Sequence, residues 1–212
     1  ARIDVVRVKI AYEDGQGKHV ATNEKALVSN DAGIGWLGWY VPENALREAG
    51  DRTVAEIASG QISYYLRLTN LGFEIPNGAR IRGIAAGVKR SADGPQAIRD
   101  YSVRLVKGGS VQGADRADTA VWPANDAEQA YGGEDDMWGI ALAPEDANAN
   151  GFGIVIAAQN GNAIAQQAAP AKAAPNETLK TTGPTPEESI ESLIAKAKKG
   201  KNGVAALKLQ NA

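Results

Sequence analysis

The sequence predicts an all-β fold, a β-sandwich of jelly-roll type, on three observations. Turn-forming residues, 24 Gly and 9 Pro among them, punctuate short apolar segments along most of the chain. Several of those segments alternate with a period of two, as strands with one buried face do. One more, residues 152–158 (F-G-I-V-I-A-A), is an unbroken apolar run of buried-strand length. Roughly six to eight short strands with turns every 8–12 residues are the pattern of a sandwich or jelly roll.

Composition narrows the chemistry. The chain has 212 residues, with 23 Lys+Arg against 25 Asp+Glu, and this near-balance argues against a general electrostatic nucleic-acid binder. It contains no Cys, which excludes disulfide frameworks, thiolate metal sites and cysteine nucleophiles. A single histidine, His19, cannot form a histidine metal cluster or a two-histidine relay. Its apolar runs fall far short of the roughly 20 residues of a spanning helix, so no membrane partner is expected. No signal-peptide apolar core is present, and a start at Ala1 suggests methionine removal or larger processing.

The elements follow in order. Residues 3–12 read I-D-V-V-R-V-K-I-A-Y; Asp4, Val6, Val8, Ile10 and Tyr12 share a mostly apolar face, opposite Ile3, Val5, Arg7, Lys9 and Ala11. Residues 13–17 form a turn, 18–29 a weaker strand, and 30–33 another turn. Residues 63–69 predict a strand and 73–79 a strand end with a turn. Residues 80–90 predict a strand with Arg80, Arg82, Ile84, Ala86 and Val88 on one face. Residues 98–107 predict another, with Tyr101, Val103 and Leu105 together. Residues 110–131 read as irregular, and 136–142 as a short strand holding Trp138.

Beyond residue 160 the character changes. Nine of the nineteen residues 157–175 are Ala, and Pro170, Pro175, Pro184 and Pro186 punctuate the stretch from 170 on, which makes 161–185 a linker of limited flexibility. Residues 186–199 predict a helix. Thr185 caps it, Pro186 takes the first position, Glu188 completes a capping box and Gly200 ends it. Ile190, Leu193, Ile194 and Ala197 form an apolar stripe that needs a surface to cover it. Residues 204–209 read as a short strand or docking peptide. Four regions result: an N-terminal strand arm (1–33), the sandwich (34–160), the linker (161–185), and a helix with a tail (186–212).

An ordered series of short motifs runs through the sandwich region. It comprises Trp39, Pro42, Asn44 and Ala45; Ser63, Tyr65 and Leu66; the stretch from Gly72-Phe73-Glu74-Ile75-Pro76-Asn77-Gly78 to Ile84; Asp100-Tyr101-Ser102-Val103-Arg104-Leu105-Val106-Lys107-Gly108-Gly109; Ala117-Asp118 with Trp122-Pro123; Tyr131-Gly132-Gly133; Asp136-Met137-Trp138-Gly139; and Phe152-Gly153-Ile154. In this order, over about 124 of the 212 residues, the series resembles a β-sandwich module recurring in virion proteins predicted for tailed phages and prophages, such as tail fibres and head-associated proteins. The resemblance implies a virion structural or attachment role and brings no catalytic residues. In that module the last strand leads into a closing strand of the type Val-Asp-x-Val-x-Val-x-Val-x-Tyr. Here the linker follows instead, and residues 3–12 look like the closing strand displaced to the N-terminus. Either this strand closes its own module, or it fills a neighbouring subunit's sheet.

Other clusters admit two readings each. Asp115, Asp118, Glu134, Asp135, Asp136, Glu145 and Asp146 suit either a Ca²⁺ site without EF-hand spacing or, more simply, turns in water. Paired carboxylates also serve glycosidases, yet nothing in the sequence places two of them across a cleft. The Gly-rich residues 108–113 lack a phosphate loop's Gly-Lys-Ser/Thr. Trp36, Trp39, Trp122 and Trp138, with Tyr40, Tyr64, Tyr65 and Tyr131, read either as core or as a sugar-stacking surface. Arg80, Arg82, Lys89, Arg90, Arg99 and Arg104 read as a solvated sheet face or a charged contact.

The sequence therefore leads us to expect a non-enzymatic virion structural protein, a capsid decoration, head-fibre or similar assembly subunit. Its expected partners are copies of itself and other virion proteins, with no cofactor. Ile3, Val6, Val8, Ile10 and Tyr12, and Ile190, Leu193, Ile194 and Ala197, are the expected partner contacts. The alternative is a carbohydrate-binding attachment module of a fibre or cell-surface protein, recognising a host-surface glycan.

Overall fold

A computed structural model describes residues 1–48, 50–94 and 97–161. Of the expected linker only Gly161 is among them. The expected helix with Ile190, Leu193, Ile194 and Ala197, and the segment 204–209, lie outside the described residues. The strands are β1 (Arg2–Asp14), β2 (Gly17–Thr22), β3 (Leu27–Asp31), β4 (Thr53–Val54), β5 (Tyr65–Thr69), β6 (Arg80–Ser91), β7 (Ile98–Lys107), β8 (Ser110–Gln112), β9 (Ala127–Gly132) and β10 (Gly153–Asn160). A 3₁₀ turn covers Pro42–Leu46 and a one-turn helix, α1, covers Pro144–Asn148.

Two five-stranded sheets make an all-β sandwich. One runs β2-β1-β6-β9, with β4 paired to the start of β1; the other runs β3-β5-β10-β7-β8. All the strand pairs are antiparallel. The main core lies between the sheets, where Ile3, Val6, Val8 and Ile10 of β1 and Ile84, Ala86 and Val88 of β6 meet Leu66, Leu68, Val103, Leu105, Ile154 and Ile156. A second cluster, Ile62, Tyr65, Val106, Val155 and Ala157, covers the opposite face of the second sheet. The unbroken apolar run of β10 follows from this: Ile154 and Ile156 face one cluster, Val155 and Ala157 the other.

The N-terminal segment does not form an arm. β1 lies between β2 and β6 of its own chain, and β3 joins the second sheet at its edge. β1 thus pairs within its own chain, in the sheet that does not contain β10. All described residues fall within one compact unit, with no break at residue 33. The single weak strand expected at 18–29 is two strands, one in each sheet, joined by a crossing at 23–26 whose Asn23 N–H donates to Val8 and whose Glu24 N–H donates to Leu71.

Three bulges correct the face assignments. Ile3 pairs with Arg90 and Val5 with Lys89, so Asp4 is an extra residue, and Ile3 turns into the core beside Val6, Val8 and Ile10. Ala11 pairs with Gly83 and Tyr12 with Ile81, so Arg82 is extra and Ile81, not Arg82, joins Ile84 in the core. Tyr101 is extra opposite Ala157 and Ala158, and it packs on the second cluster, away from Val103 and Leu105. Trp138, expected in a strand, sits in a turn with φ 54°. Its fully buried indole donates to the Ile84 carbonyl at 2.8 Å, and its N–H donates to Asp136 Oδ1 at 2.8 Å. The region 110–131, expected to be irregular, contributes β8 and β9.

Candidate functional site

The expected N-terminal contact residues are mostly spent on the fold. Ile3, Val6, Val8 and Ile10 are buried between the sheets of their own chain, so they offer nothing to a partner. Tyr12 is half-buried and stacks on His19, with ring centroids 5.1 Å apart. His19 Nε2 lies 3.0 Å from Asp14 Oδ1. The Gln16 N–H, and behind it the His19 ring, hold the Asp14 carboxyl below its ordinary value. This Tyr-His-Asp hairpin brings no serine or threonine hydroxyl to the histidine among its described contacts.

The acidic residues act as turn and pairing groups. Asp115 Oδ1 accepts from the Val103 and Ala117 N–H groups, and Asp118 Oδ1 from that of Ala120. Asp135 pairs with Arg82, Asp136 with Arg116, and Asp146 with Lys107. No group of three or more such side chains is placed to hold a metal among the described residues. Of the basic residues, Lys89 pairs with Asp4 and Glu48, and Arg104 donates to the Gly113 carbonyl at 2.7 Å.

Arg90 departs from the expected solvated face. It points inward from β6 and pairs with Asp100 of β7, joining the two sheets through a buried ion pair. Trp122 and Tyr131 flank it, with the guanidinium 5.0 Å and 5.7 Å from their ring centroids. Asp100 accepts from the Trp122 indole at 2.8 Å, the Tyr131 hydroxyl at 2.9 Å and the Asp118 N–H at 2.8 Å. Burial pushes the Asp100 carboxyl up from its ordinary value, against the pull of Arg90 and these donors. Burial and the Asp100 charge push the Tyr131 hydroxyl strongly up. The cluster is closed to solvent and its groups satisfy one another, which is the chemistry of a brace.

The aromatic set divides. Trp39, Trp122, Trp138, Tyr65 and Tyr131 are buried, whereas Trp36 is 47% and Tyr40 61% exposed, beside Val41 at 58%. These three side chains lie on one turn, residues 36–41, and that turn is held at nearly every position. The Trp36 N–H donates to Ile62 at 3.0 Å, and Leu37 accepts from the Tyr64 N–H at 2.6 Å. Asn30 holds Trp39 from both sides, accepting from its N–H at 2.6 Å and donating to its carbonyl at 2.9 Å. The buried Trp39 indole donates to Tyr64 at 3.0 Å. The Tyr40 N–H donates to Val54 at 2.8 Å, and its carbonyl accepts from the Thr53 hydroxyl at 2.9 Å. Gly35 enters the turn at φ 75°, where a Cβ would collide with the Ser63 carbonyl. Val41 leaves it at φ 46°, ψ 65°, a left-handed conformation that costs a β-branched residue about 1–3 kcal/mol.

No family model, curated protein or solved structure matches this chain. In the sequence Trp36 and Tyr40 belong to one aromatic set with two readings, core or sugar-stacking surface, and nothing there singles out Val41. The available signal was Gly35 and Gly38 inside the apolar run 34–41, which breaks any strand period there.

Proposed function

We propose that the chain is a structural subunit of a tailed-phage virion, a capsid decoration, head-fibre or similar assembly subunit, that works by subunit–subunit contact and not by catalysis. The ordered series of motifs across the sandwich supports the virion assignment. The observation that carries the contact role is the 36–41 turn. A rigid backbone there holds two aromatic rings and a strained valine in solvent. Large apolar groups held outside the core gain by burial against another surface, and a pre-ordered turn loses little entropy on binding. The partners are copies of this chain and other virion proteins. Changing Trp36→Ser and Tyr40→Ser together should abolish self-association in light scattering while leaving the melting transition in place. Unchanged association would overturn the assignment of the contact to this turn.

A second reading rests on the same residues. Exposed Trp and Tyr rings on a fixed backbone also stack on sugar rings, as a carbohydrate-binding attachment module would require. Binding on a glycan array that disappears in the Trp36→Ser variant would favour this reading over subunit contact.

A further inference from the structure

The bulge in β1 has a chemical consequence on the outer side of the first sheet. It sets two residues, Asp4 and Val5, opposite one residue of β6, Lys89. Lys89 Nζ stands 3.1 Å from Asp4 Oδ2 and also contacts Glu48 Oε1. Glu48 is fixed in turn by Arg7, whose Nη2 donates to Oε2 at 3.0 Å. Asp4 is only 3% exposed, and its second oxygen, Oδ1, is buried with no hydrogen-bond partner. A permanent buried carboxylate normally has both oxygens satisfied, and the ion pair with Lys89 accounts for only one. An amide carbonyl in that position would leave far less charge unsatisfied.

We propose that Lys89 and Asp4 join in an intramolecular isopeptide bond, with Glu48 as the proton carrier, so that β1 is covalently stapled to β6. The inference stands independently of the assembly reading. The step balances without an oxidant or a cofactor. A proton first passes from the Lys89 ammonium to Asp4 Oδ2, leaving a neutral amine beside a neutral carboxylic acid. The Nζ lone pair attacks Asp4 Cγ and the N–C bond forms. Glu48 takes the next proton from Nζ and gives it to the departing oxygen. The Cγ–Oδ2 bond breaks, one water leaves, and Oδ1 remains as the amide carbonyl while Glu48 returns to its carboxylate.

The surroundings suit the contact and the departure of water. The adjacent strands hold the reacting groups in contact, which replaces a bimolecular encounter. The side chains of Lys89 and Glu48 are partly open, giving the water a way out. Glu48 and Asp4 hold the Lys89 ammonium above its ordinary value, which opposes loss of its proton to water. The reaction therefore starts from the ion pair by internal proton transfer, and its rate should vary little across neutral pH. In a chain with no cysteine, this bond would supply the covalent link that a disulfide cannot.

Intact-mass spectrometry of the folded full-length chain, denatured just before measurement, tests the proposal. The expected mass is lower than the sequence mass by one water, and a digest should yield a branched peptide joined through Asp4 and Lys89. Lys89→Arg keeps the ion pair and should restore the full mass without unfolding the protein. Glu48→Gln keeps both reacting groups and should slow bond formation by about 10²-fold or more. A folded wild-type chain that stays at full sequence mass after prolonged incubation, with no branched peptide, would overturn the proposal. A Glu48→Gln rate equal to wild type would overturn the role of Glu48.

Discussion

The Arg90–Asp100 brace and the 36–41 turn reverse the usual placement of polarity. The first buries a guanidinium and a carboxylate between two sheets; the second leaves two aromatic rings and a valine in water. Both are rigid, but for different ends. Inside, every charged group has a partner within the chain, so the cluster's interactions are used up in holding β6 to β7. Outside, most of the turn's backbone is hydrogen-bonded while its large side chains are not covered. The difference separates residues that build the sandwich from residues left over for another molecule.

The largest expected effect tests the buried side of this comparison. Asp100→Ala would strand Arg90 in the interior and should cost about 3–5 kcal/mol in a denaturant titration. A loss below about 1 kcal/mol would mean that the brace is not structural. Tyr131→Phe keeps the ring and removes one donor to Asp100, so about 1–3 kcal/mol should be lost.

Acid should act on the surface pairs with the opposite sign to the brace. Asp126 is held below its ordinary value by the Ser91 hydroxyl and then Arg52, and Asp146 by the Ala143 N–H and then Lys107. At Asp136 burial pushes upward, but Arg116 and the Trp138 N–H outweigh it and leave the carboxyl low. Each lowered group contributes stability that is present above the unfolded carboxylate value, near pH 4, and is lost as pH falls through its folded value. The raised Asp100 contributes stability below that range, which is lost as pH rises. With more groups lowered than raised, the melting temperature should drop on acidification below about pH 4. Below the unfolded carboxylate value Asp100 is protonated in both states, so Asp100→Asn should leave that drop unchanged and remove only the stability gained as pH falls toward about 4. The same pH dependence above about pH 4 in the two proteins would show that Asp100 does not titrate there. The smallest stability effect belongs to the exposed turn: Trp36→Ser with Tyr40→Ser should shift stability by only about 0.5 kcal/mol.

The same contrast explains what could be read from the sequence. The long strands β1, β6, β7 and β10 were legible because their apolar period or run is set by the sheets themselves. Their faces were not fully legible, because Asp4, Arg82 and Tyr101 each insert one residue and flip what precedes or follows. The spacing of Ile3 from Val6 and of Ile81 from Ile84, three rather than two, is the trace such a bulge leaves. The sequence offers Arg90 only a solvated face or a charged contact, because its partner, Asp100, lies on a strand of the other sheet, a tertiary fact that no local period encodes. Trp138 was placed in a strand because its left-handed turn depends on bonds to Asp136 and Ile84. The site was legible only as a list of aromatics; which of them stay outside was decided by Asn30, Thr53 and Tyr64 gripping the turn.

The most direct measurement is the solution mass of the chain across a concentration series by multi-angle light scattering, for wild type and for the Trp36→Ser/Tyr40→Ser variant. The account predicts reversible self-association of the wild type and a monomeric, fully folded variant. A wild type that remains monomeric throughout, or a variant that associates as the wild type does, would contradict it.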